Sequence, residues 1–164
     1  MLKNVVILIF LMFSSSVIAS TPRTELNLLW MKNNYFVIQE HLESDESKIV
    51  VPTINTLGEI WVHRDGAVSG EVSLLLLVAL THHTYITLAV LSSEPDSFSK
   101  WLNELQGIVF TDFNGGEVEQ LSHAKEDLVR ALSLYMNSNP QVALAPYGES
   151  LLERLEGISI RSVD

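Results

Sequence analysis

The sequence predicts an all-α protein, and three observations carry that prediction. Apolar residues recur at spacings of three and four along most of the chain. Capping residues, prolines and glycines fall between those runs, where helices start and stop. Sustained two-residue alternation is confined to the tail, residues 158–163. Taken in order, the runs give about six or seven helices, in a compact bundle or a short curved stack, after a cleaved signal peptide.

The chain opens with Met1-Leu2-Lys3-Asn4, then nine apolar residues over 5–13, three serines, and Val17-Ile18-Ala19. A basic start, an apolar stretch and compact residues before a cleavage point are the marks of a secretory signal peptide. Residues 1–19 are therefore expected to be removed after Ala19 or Ser20, leaving 20–164 as one helical domain in the periplasm or outside the cell. Nine apolar residues are too few for an anchor, since crossing the hydrocarbon takes ~20.

Over 25–42, Leu28, Met31, Tyr35, Ile38 and Leu42 form one amphipathic stripe. After a polar break, Val50, Ile54, Leu57 and Trp61 repeat the spacing, with Pro52 expected in the first turn. Residues 59–69 admit a second reading, a hairpin turning at Asp65-Gly66; helix is preferred. Residues 72–91 carry no formal charge in twenty positions. That length suits a membrane span, and a single-pass protein through 72–91 is one alternative. The cluster Thr81-His82-His83-Thr84 at its middle favours two core helices joined by a polar knee, because polar groups are most costly at mid-bilayer.

Ser93 is expected to cap the next helix, with Pro95 in its first turn and Gly107 closing it. Asn114-Gly115-Gly116 then precedes the clearest helix, 117–137. Its inner face is Leu121, Ala124, Leu128, Ala131, Leu132 and Tyr135, with Glu119, His123, Glu126, Asp127 and Arg130 opposite. A last helical segment follows Asn139-Pro140, interrupted or restarted at Pro146, and the tail is a short strand or an extended end.

Composition excludes several function classes. Asp and Glu outnumber Lys and Arg by 20 to 10, a formal charge of −10, which becomes −11 once Lys3 is removed. Nucleic-acid binding needs the opposite balance. The absence of cysteine excludes disulfides, thiolate metal sites and cysteine nucleophiles.

The chain contains neither His-Glu-x-x-His nor Gly-x-Ser-x-Gly, and no motif requires a cofactor. Asp112-Phe113-Asn114 begins like a calcium loop, but Glu117 stands where that loop needs glycine and His123 where it needs a bidentate Glu. Glu119, His123 and Asp127, spaced by four, are the weak candidates for a metal set, and a solvated outer face explains them more simply. Adjacent helical residues point about 100° apart, so His82 and His83 cannot easily share an ion. Trp30, Trp61 and Trp101 sit in apolar stripes and read as core.

What these observations imply is an exported, non-enzymatic acidic binding protein of the bacterial cell envelope. In size and address it has the profile of small inhibitors and immunity proteins. Its partner would be another protein with a basic contact surface, and membrane contact would be limited to export. The candidate contact residues are Glu117, Glu119, Glu126 and Asp127, with Glu40, Glu43, Asp45 and Glu46 as a second cluster. The alternative in another class is a metal-assisted periplasmic hydrolase using surface His and carboxylates.

Overall fold

The computed structural model describes residues 22–163, and the expected signal peptide at 1–19 lies outside them. Among the described residues there are eight helices. They are α1 (Pro22–Asn33), α2 (Tyr35–Glu43), α3 (Ser47–Val62), α4 (Gly66–His82), α5 (Thr84–Leu91), α6 (Pro95–Ile108), α7 (Val118–Asn137) and α8 (Ala145–Gly157). Two short strands, β1 (Thr111–Asp112) and β2 (Arg161–Ser162), pair in parallel.

The uncharged stretch lies at the centre of the molecule. A helix that is apolar all round must be surrounded, and α4 packs against α2, α3, α5, α6 and α7. Val72, Leu75, Leu76, Leu77, Ala79 and Leu80 are buried along it. Each such leucine or valine contributes roughly 1.5–3 kcal/mol of apolar burial. One helix touching five others makes a compact bundle; in a stack each unit would meet only its neighbours. The chain breaks at His83, so 72–91 belongs to two helices, and no described helix is long and apolar enough to cross a membrane. The unbroken helix that a single pass through 72–91 would need is not what forms: α4 ends at His82 and α5 begins at Thr84.

Around α4, Trp61 and Trp101 meet edge to face with ring centroids 6.3 Å apart, and Phe98 bridges Trp101 to Tyr147. The Trp101 indole donates to Ser73 Oγ at 2.9 Å, which satisfies a donor buried against α4. Trp30 is only half-buried.

Four boundaries differ from the sequence reading. The stripe over 25–42 is cut at Asn34, whose side-chain amide donates to Trp30 O at 2.8 Å and so competes with the helical ladder; this cut gives the eighth helix. Over 59–69 the preferred helical reading holds on both sides of a short break and no hairpin forms: α3 ends at Val62, and Asp65 accepts from Val68 N at 3.2 Å and starts α4 at Gly66. Ser93 does not cap α6; its hydroxyl turns back to Val90 O, and Glu94 takes the cap position. Gly107 lies inside α6, which runs on to Ile108. After α7, Asn139 adopts φ 63°, and α8 starts with Pro146 in its first turn, so the chain restarts there rather than at Pro140.

Candidate binding groove

Three helices leave a groove of about 560 Å³ on the surface beside α4. The size suits recognition of a few side chains or a small ligand. Its floor is α4, through Leu74, Leu77, Val78, Thr81 and His82. One wall is α2, through Tyr35, Phe36, Gln39 and Glu43; the other is Glu117, Gln120, Leu121, Ala124 and Asp127, at and beyond the start of α7. Val109 and Phe110 complete the lining.

The local sequence explains each wall. On α2, Ile38 and Leu42 face the core, so the adjoining stripe turns its side chains to the groove. Phe36 is out of phase with the buried stripe and is 78% exposed, which leaves its ring on the groove wall. On α4, Leu74 is 40% exposed, because α2 and α7 cover only its flanks. Tyr35 has its hydroxyl pushed above the ordinary tyrosine value, by burial first and by nearby Glu71 second.

Glu117 is placed by the loop ahead of α7. Asp112 is fully covered, and its Oδ1 accepts from the amides of Asn114 at 3.1 Å and Gly115 at 2.7 Å. Its Oδ2 accepts from Glu117 N at 2.9 Å. The Glu117 amide does most to hold this carboxyl below the ordinary aspartate range, and the Gly115, Asn114 and Gly116 amides add to it against desolvation. Gly115 and Gly116 supply the φ values of 78° and 93° that let the chain wrap the carboxylate. The side-chain amide of Asn114 then donates to Glu117 Oε1 at 3.2 Å. The calcium-like start of this loop is thus a carboxylate occupied by backbone donors. From the other side, Arg161 N donates to Phe110 O and Val163 N to Asp112 O, so the C-terminal strand clamps the loop.

The structure divides the carboxylates singled out from sequence. Glu117 and Asp127 line the groove, and Glu43 joins them from the second acidic cluster on the opposite wall. Glu119 and Glu126 lie outside it, flanking His123 at 3.9 Å from Nε2 and 3.8 Å from Nδ1. Asp127 turns instead to Arg130, at 3.0 Å. Residues four apart drift by about 40° around a helix, so 119 and 127 are about 80° apart and Glu119, His123 and Asp127 do not converge. Among the described residues, no group of three or more His, Asp and Glu is placed to hold a metal ion.

The two adjacent histidines diverge. His82 is exposed and lines the groove, whereas His83 sits at the α4–α5 junction with Nε2 buried and unpaired. His83 makes no side-chain cap bond there.

Sequence reasoning missed the apolar half of the site, Phe36, Leu74 and Val78. For Phe36 the out-of-phase position was a usable signal. For Leu74 there was none, because its whole segment is apolar. No family model, curated protein or solved structure matches the chain.

Proposed function

We propose that this chain is an exported, non-enzymatic binding protein of the bacterial cell envelope, an inhibitor- or immunity-like module whose groove holds a basic segment of another protein. The observation that carries the reading is the groove itself. An apolar floor and an exposed Phe36 are rimmed by Glu43, Glu117 and Asp127 on both walls. Such a surface favours a ligand that brings apolar contact and positive charge together. The formal charge of −10 adds long-range attraction for a cationic partner. Export is supported by the basic start, apolar stretch and compact residues at 1–19.

The test is capture of partners from the native envelope fraction by the full chain tagged at Asp164. The wild type is compared with Glu43→Gln/Glu117→Gln/Asp127→Asn at low and moderate salt. The expected result is one stoichiometric protein, retained by the wild type at low salt, weakened as salt rises, and lost from the variant. Undiminished capture by the neutralised variant would contradict the reading. Sequencing the purified N-terminus checks export, with a start near Ser20 expected and an intact Met1 counting against it.

A further inference from the structure

We propose that the segment held in the groove is an amphipathic helix of two to three turns, with Lys or Arg flanking an apolar stripe. The inference rests on the binding reading above and adds the shape of the occupant. α2 and α7 each pack along α4 but make no comparable packing with each other. The floor between them is therefore a vacant helix position in the bundle, bounded on three sides by helices.

The dimensions agree. The α2 wall runs from Tyr35 to Glu43 and the α7 wall from Glu117 to Asp127, about 12 and 15 Å at the helical rise. That span takes two to three helical turns at the usual pitch of about 5.4 Å. A helix laid there presents residues at i, i+3, i+4 and i+7 to Leu74, Val78 and Phe36, the usual manner in which a groove reads an amphipathic helix. Glu117 on one side and Glu43 on the other border that stripe, with Asp127 beside Arg130 at 3.0 Å at the far end, so the flanking positions of the occupant carry positive charge. An extended strand is a poorer fit, because the groove walls are helix faces that offer no open backbone edge for pairing.

Charge selects among occupants. A second copy of this chain would bring a formal charge of −10 against the same carboxylates. The chain's own residues 1–21 carry one cation, Lys3, against three rim carboxylates. A basic helix of another protein satisfies both the floor and the rim.

The test uses a fluorescent peptide of about 11 residues, with Leu at i, i+3, i+4 and i+7 and Lys on the flanks, titrated with the purified full chain. A scrambled peptide of identical composition but no helical stripe is the control, and Leu74→Lys, which puts a cation on the floor, is the variant. Circular dichroism of the variant verifies its fold. The expected result is binding with a gain of peptide helicity, weakened about tenfold or more by scrambling and by Leu74→Lys. Equal, salt-sensitive binding of both peptides would overturn the helical occupant while leaving the acidic groove as a site for basic segments. Binding unaffected by both Leu74→Lys and Glu117→Gln/Asp127→Asn would overturn the groove itself.

Discussion

Asp112 shows how one side chain sets the geometry of a site it does not line. Its two oxygens gather the amides of Asn114, Gly115 and Glu117, and that bonding starts α7 with Glu117 at the groove rim. Because its carboxyl is held below the unfolded value of about 3.9, its contribution to stability is complete well above that pH and is lost as pH falls below it. Asp112→Asn replaces an accepting oxygen with a donor among donors. The variant is expected to melt lower than the wild type at neutral pH, and the gap is expected to shrink between about pH 5 and about pH 2. A gap that holds constant over that interval, followed by thermal melts at each pH, would show that the carboxylate charge is not what matters. The loop was half legible in the sequence. Asp112, Asn114 and the glycine pair announced a turn with oxygen ligands, but the reach of the same carboxylate to the Glu117 amide depends on a three-dimensional path that spacing does not encode.

At the scale of elements, helix contacts explain which glycines tolerate change. Gly58 on α3 lies so close to α5 that an added Cβ would collide with the Val90 side chain. Gly107 is also helical, yet has no neighbouring atom within 4 Å of that position. Gly58→Val is expected to cost about 1–3 kcal/mol by overpacking. Gly107→Ala is expected to be neutral or to gain up to about 1 kcal/mol from helix propensity. Urea denaturation of both variants checks the pair, and equal effects would contradict the close α3–α5 approach. Most helices were legible because apolar spacing persists over several turns, as in α7. The break at Asn34 was not, since the stripe from Met31 to Tyr35 continues in phase across it. The pairing of β1 with β2 was hidden for another reason: two residues show no period, and the partners lie at opposite ends of the last third of the chain.

For the whole molecule, the unusual fact is that an uncharged segment sits at the centre of a strongly acidic protein. Burial of α4 on nearly every side accounts for its composition, and the place where cover is incomplete is the groove. The sequence showed the acidic excess and the helix that carries these carboxylates, but it grouped Glu117, Glu119, Glu126 and Asp127 together. Folding separates them: Glu117 and Asp127 line the groove, Asp127 with its carboxylate paired to Arg130, while Glu119 and Glu126 flank His123 outside it. That separation allows a test in which net charge cancels. Glu117→Gln/Asp127→Asn and Glu119→Gln/Glu126→Gln each remove two negative charges, one pair inside the groove and one outside.

The decisive measurement is the affinity of these two variants for the partner captured at low salt. The groove pair is expected to lose about tenfold or more, roughly 1.4 kcal/mol for each factor of ten, while the outer pair stays within a few-fold of wild type. Equal losses would mean that the acidic surface acts only through its total charge, and the groove would not be the binding site.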